Sequence, residues 1–197
     1  MNHLQLAKLF KTTSWKTIGT DTQYAILEEA NETIIIFAES NSQADWLTNF
    51  NFPKKPYKQM DITFMVHRGY LKEWKLFRDF FTDYLTGHAL KPITIVGWSY
   101  GGAMATLAME QIWFDFPFMR DSLKLVTFGS PRVIGFWNFG KVRERWENST
   151  RYKNGFDLVT HVPFVWMGFR HVVKATRIGF WTMKHDISAY IKNLEEA

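Results

Sequence analysis

The sequence predicts an α/β fold: a mainly parallel sheet covered by helices on both faces, with an antiparallel hairpin at its N-terminal end. Three observations carry that expectation. Short apolar, β-branched runs recur at residues 34–37, 62–66, 93–96 and 123–128, and runs apolar on both faces belong inside a sheet. Helical stretches separate the later runs, and strands alternating with helices imply parallel pairing. Residues 23–27 and 33–37 flank the turn-forming Ala30-Asn31-Glu32, which is the spacing of a hairpin.

Taken in order, residues 4–10 place apolar side chains at helical spacing, and the two hairpin strands follow. A polar stretch runs from Ala38 to Trp46, then the run at 62–66 leads into His67-Arg68-Gly69. The clearest helix covers residues 70–85, where Tyr70, Leu71, Trp74, Phe77, Phe80, Phe81, Tyr84 and Leu85 form one stripe against a charged opposite face. Gly87 closes it. Residues 152–156 and 171–176 are weaker strand candidates, and 187–194 reads as a closing helix. With no repeat or linker composition, residues 1–197 are expected to form one domain.

Composition narrows the function classes. The chain has no cysteine, so disulfides and thiolate metal sites are excluded. The N-terminal residues lack the continuous apolar core of a signal peptide, and no run approaches the length of a membrane span. The resulting expectation is a soluble chain, cytoplasmic or of undetermined location. A net charge of +5 with basic runs at 54–58 and 141–153 reads as solvated faces, with no specific nucleic-acid partner expected. Eighteen Phe and nine Trp either fill a core or leave rings exposed to apolar substrate or lipid.

The segment with chemistry in it is Gly97-Trp98-Ser99-Tyr100-Gly101. It lies between an apolar strand and a run of strong helix formers, so the chain must turn sharply at Ser99. Flanking glycines, lacking Cβ atoms, leave room for that turn. The serine hydroxyl is then held clear of the sheet, beside a backbone N–H at a helix N-terminus. The bare pattern recurs by chance in roughly one in fifteen chains of this length; the strand before it and the small-residue helix after it make it specific. A serine needs a positioned base and an orienting acid, and on this architecture they follow it in the order acid, then histidine. The acids after Ser99 are Glu110, Asp115, Asp121, Glu144, Glu147, Asp157, Asp186, Glu195 and Glu196, and the histidines are His161, His171 and His185. Asp157 lies just past a strand, where active-site loops begin, and His185 lies in a loop before the last helix.

These residues sit in a series of motifs that resembles the class 3 (fungal-type) lipases of the α/β-hydrolase superfamily. Matching segments are Phe37-Ala38-Glu39-Ser40 through Trp46 and Asn49-Phe50, Val66-His67-Arg68-Gly69-Tyr70, Gly97-Trp98-Ser99-Tyr100-Gly101-Gly102, Thr127-Phe128-Gly129-Ser130-Pro131-Arg132-Val133, Asp157 to Pro163, and His185 with Tyr190. The resemblance implies an α/β-hydrolase fold and a serine esterase or lipase acting on lipid or small ester substrates through an acyl-enzyme, without a cofactor and with transient lipid-surface contact. It implies Ser99 as nucleophile, Asp157 as orienting acid and His185 as base. The oxyanion hole falls to the backbone N–H groups of Ser40 and Tyr100, and substrate contacts to Trp98 and Trp46. One departure favours an alternative reading, a weakly active or inactive relative used for binding: Ala38-Glu39 replaces the family's Arg-Gly beside the oxyanion residue. A carboxylate there would oppose developing charge where one lost donor costs about 3 kcal/mol.

Overall fold

A computed structural model describes residues 1–18, 22–38, 53–59, 62–88 and 91–197. In chain order its elements are α1 (His3–Thr12), β1 (Lys16–Ile18), β2 (Thr22–Glu28), β3 (Thr33–Phe37), β4 (Lys54–Gln59), β5 (Ile62–His67), α2 (Arg68–Thr86), β6 (Ile93–Trp98) and α3 (Tyr100–Asp115). There follow β7 (Leu123–Phe128), β8 (Ile134–Gly135), β9 (Ser149–Asn154), β10 (Phe169–Arg170), β11 (Ala175–Ile178) and α4 (Ile187–Glu195), with short 3₁₀ turns between several of them.

Seven strands make the central sheet, in the order β1-β2-β3-β6-β7-β9-β11. The first three are antiparallel, and every later neighbour is parallel. The expected hairpin and parallel sheet are both present. Register aligns Phe37 with Gly97, Trp98 with Phe128 and Phe128 with Tyr152. The loops leaving β3, β6, β7 and β9 therefore emerge from one edge, where ligands bind in open parallel sheets.

Helices cover both faces, because strands such as Ile34–Ile36 are buried on each side. On one face α2 lays its stripe of Trp74, Phe77 and Phe81 against Phe37, while α3 is buried around nearly its whole circumference. On the other, α1 and α4 pack through Leu6, Tyr190 and Ile191 against Val96, Trp98 and Phe128. Local chemistry sets the helix starts. Asn2 and Gln5 form a reciprocal capping box on α1, and the Asp186 side chain accepts from Ser188 N–H at the start of α4. His67 caps α2 by accepting from Tyr70 N–H at 3.3 Å.

The residues at 62–66 are a strand, as expected, but not in the central sheet. They join β4, β8 and β10 in a separate four-stranded antiparallel sheet. The reason is the half-buried alternation, in which Phe64 and Val66 point inward while Thr63 and Met65 remain partly exposed. The basic run at 54–58, expected as a solvated face, supplies the partner strand and buries Tyr57 against Phe64. Among the described residues no helix is long and apolar enough to cross a membrane.

Candidate active site

Ser99 occupies the turn between β6 and α3 with φ 54° and ψ −122°, a conformation that costs a non-glycine residue about 1–3 kcal/mol. Packing holds it there. Its N–H donates to Phe128 O at 3.0 Å, and Gly102 N–H donates back to Ser99 O at 2.9 Å. Gly101 allows α3 to sit this close, because a Cβ there would collide with the carbonyl oxygens of Phe37 and Ala38. The first turn of α3 thus rests on the end of β3, immediately before Glu39 and Ser40.

Asp157, His185 and Ser99 converge above the sheet edge. His185 Nε2 lies 2.6 Å from Ser99 Oγ, and its Nδ1 lies 2.7 Å from Asp157 Oδ2. With a carboxylate accepting from Nδ1–H, the Nε2 lone pair faces the serine hydroxyl. Ser99 and Asp157 are fully buried, and the imidazole is partly open to solvent. The buried carboxylate has two further donors: Tyr190 Oη–H at 2.6 Å to Oδ2 and Val159 N–H at 3.0 Å to Oδ1. Three hydrogen bonds offset the cost of burying that charge.

Tyr190 is the contact that motif reading missed. It was legible only as the second half of the His185-to-Tyr190 spacing, which puts it one turn into α4 and facing the sheet. Burial and the Asp157 charge push its phenol well above the ordinary range, so it remains a donor. It also accepts from Asn154 N–H at 3.0 Å, tying α4 to the end of β9. Gly129 was likewise quoted without a role. At φ 60° it passes so close that a Cβ would come within 2.9 Å of both His185 Cε1 and Trp98 Cζ3.

Trp98 is buried, its ring stacked on the His185 imidazole at 4.5 Å and 19° and set edge-on to Tyr190. Tyr100 opens α3 with its ring packed on Tyr70, which leaves its backbone N–H at the helix N-terminus. Ser40, Glu39 and Trp46 lie outside the described residues. The rival histidines have other partners. His161 Nδ1 is 2.9 Å from the backbone oxygen of Asp157, and His171 Nε2 is 2.7 Å from Thr160 O. Both brace the loop that carries Asp157. Among the described residues no cluster of three or more His, Asp or Glu converges as a metal site would.

With this geometry established, relatives can be compared. A model of the family described as "Lipase (class 3)" matches residues 34–167, more than half the chain. The chain belongs to the class 3 lipase family. The secreted mono- and diacylglycerol lipase 1 of Fusarium solani is 29% identical over 163 residues, spanning 78% of this chain and 47% of that protein. The lipase of Rhizopus oryzae is 28% identical over 166 residues, spanning 81% and 42%. Rhizomucor miehei triacylglyceride lipase superposes with a TM-score of 0.74 over 84% of this chain and 65% of that one, at 22% identity, a likeness of fold. This class 3 lipase chain spans somewhat under half the length of the two curated relatives, and its fold is that of an α/β-hydrolase.

Proposed function

We propose that this chain, residues 1–197 acting as one domain, hydrolyses carboxylic esters of lipids through a serine acyl-enzyme. The observation that carries the reading is the continuous relay from Ser99 Oγ through His185 to Asp157, at 2.6 and 2.7 Å. Ser99 Oγ attacks the ester carbonyl while its proton passes to His185 Nε2. The tetrahedral intermediate then expels the alcohol, which takes that proton. Water, deprotonated by the same imidazole, cleaves the acyl-serine. Asp157 orients the ring and stabilises the imidazolium. The Tyr100 N–H, with that of Ser40, meets the oxyanion, and no step uses a cofactor. Trp98 borders the reacting centre through the imidazole, and the substrate contact expected of Trp46 is part of the same proposal.

The substrate class follows from what surrounds the relay. Leu158, Val165 and Trp166 follow Asp157, and Phe180, Trp181 and Met183 precede His185; Trp166 is 82% and Trp181 93% exposed. The two segments are tied together by Phe156 N–H to Thr182 O at 2.8 Å. An apolar rim of this kind fits contact with a lipid surface, and we assign the substrate to acylglycerol or phospholipid acyl chains. The F. solani relative is a secreted lipase, which gives no ground for the cytoplasmic placement expected from sequence.

A fluorophosphonate probe should label the wild-type chain and not Ser99→Ala. Ester turnover should vanish with the label. Equal labelling of both proteins, or no turnover of short and long p-nitrophenyl esters above background, ends the hydrolase reading and leaves a binding protein.

A further inference from the structure

Away from the relay, on the face of the sheet that carries α3, a cavity of about 660 Å³ opens between β9, the start of β11 and the turns around β8 and β10. Among the described residues its lining includes Arg132, Arg143, Arg151, Arg170 and Lys174, against the single carboxylate Glu147. Among the described residues none of these five cations is ion-paired. Like charges crowded this way repel one another unless an anion lies between them.

Arg151 makes the case specific. It stands on β9, between β7 and the edge strand β11, and is only 8% exposed. Its Nε donates to Val173 O at 3.2 Å, but its Nη1 is buried with no hydrogen-bond partner. Leaving a buried guanidinium nitrogen unsatisfied is costly. Burial and the nearby Arg132 charge lower its pKa to about 10, so it is still a cation at neutral pH. Arg170 also has an unpartnered buried Nε, and its guanidinium is laid over Phe139 at 4.1 Å. Arg132 is oriented by its bond to Pro163 O at 2.9 Å. Planar guanidinium forks held by stacking and backbone bonds suit an anion with several oxygens at tetrahedral spacing.

We infer that this arginine-lined cavity binds a phosphoryl group, as inorganic phosphate or as the headgroup of an anionic phospholipid. Its position relates it to the rim. Val165 lines the cavity and lies between the exposed Phe164 and Trp166, whose rings stack at 5.7 Å. A chain seated on lipid through those rings would bring the cavity mouth to headgroup depth. Only this lipid source of the phosphoryl group rests on the function proposed above; the phosphate site itself does not.

The test uses the full chain. Binding of inorganic phosphate is followed by titration calorimetry against chloride at equal ionic strength. Retention on vesicles of ether-linked phosphatidylcholine is compared with the same vesicles doped with ether-linked phosphatidic acid, which an esterase cannot cleave. Two variants are compared after a thermal melt shows them folded: Arg143→Glu with Lys174→Glu at the exposed mouth, and the conservative Arg151→Lys inside. Phosphate should bind the wild type, and the double variant should weaken it by about tenfold or more. Preference for phosphatidic acid that phosphate displaces points to the headgroup; phosphate binding without that preference points to the free ion. The proposal fails if chloride competes as well as phosphate, if neither form binds, or if both variants bind like the wild type. Turnover of a soluble ester, measured alongside, reports on the relay alone, so its absence would sink the hydrolase reading without touching this site.

Discussion

The proposed nucleophile and its two proposed partners are held by different means. Ser99 sits on a sealed floor: β6 below it, α3 behind it, and residues 37–38 pressed against Gly101. Asp157 and His185 come from loops whose outer surfaces carry Leu158, Trp166, Phe180 and Trp181, all exposed. Close packing supplies the fixed point of the relay, where a displacement of one ångström can cost a hundredfold in rate. The loops supply the surface, and a few inward hydrogen bonds, Tyr190 to Asp157 above all, keep their two reactive groups in register with the floor. Precision and exposure are thus separated within a single site.

That contrast can be broken at several points. The largest effect is expected for His185→Ala, which removes the proposed base: kcat on a soluble ester should fall at least about 10⁴-fold with KM little changed, measured by steady-state kinetics. Next comes the floor. Gly101→Ala drives a methyl into the Phe37 and Ala38 carbonyls and should destabilise the fold by about 3 kcal/mol, read as a lower denaturation midpoint in urea. Tyr190→Phe keeps the ring and removes one donor from Asp157. We expect kcat to drop about tenfold, the worth of one charge-assisted hydrogen bond, with KM unchanged and the fold intact; a KM effect alone would mean that Tyr190 does not position the acid. On the exposed side, Trp166→Ser with Trp181→Ser should lower the ratio of rates on dispersed and soluble esters by about three- to tenfold.

A pH dependence sharpens the role of the histidines outside the relay. His3, His161 and His171 are held below the ordinary histidine pKa, burial being the first cause in each. Each is then neutral in the folded chain at pH values where the unfolded chain is already protonated. Stability is complete above about pH 6.5 and is lost as pH falls toward the depressed folded values, with a slope of up to about 1.4 kcal/mol per pH unit from the well-buried His171 and less from the more exposed, solvent-screened His3 and His161. Thermal midpoints between pH 7.5 and 5 measure it, and His171→Gln should flatten the decline.

Which features could be read in advance depended on how local their signals were. The turn at Ser99 was legible because strand, glycines and helix formers occupy adjacent positions. The aromatic stripe of α2 was legible because helical periodicity repeats within its own length. Residues 54–59 were not, since Lys54, Lys55 and Pro56 hide the inward-facing Tyr57, and their strand partners lie across a separate sheet. β1, three residues long, is too short for any periodicity. The buried pair of Glu110 with Arg145, 35 positions apart, had no local signature either.

The sequence by itself determined the alternation of strands and helices around Ser99, the strained serine and the family, because each is written in short-range patterns of side-chain type. Only the tertiary structure decided which of three downstream histidines faces Ser99, that Tyr190 holds the acid, and that Arg132, Arg143, Arg151, Arg170 and Lys174 line one cavity. Those outcomes depend on where distant segments meet across parallel strands, and that distance in space is not encoded in any stretch of neighbouring residues.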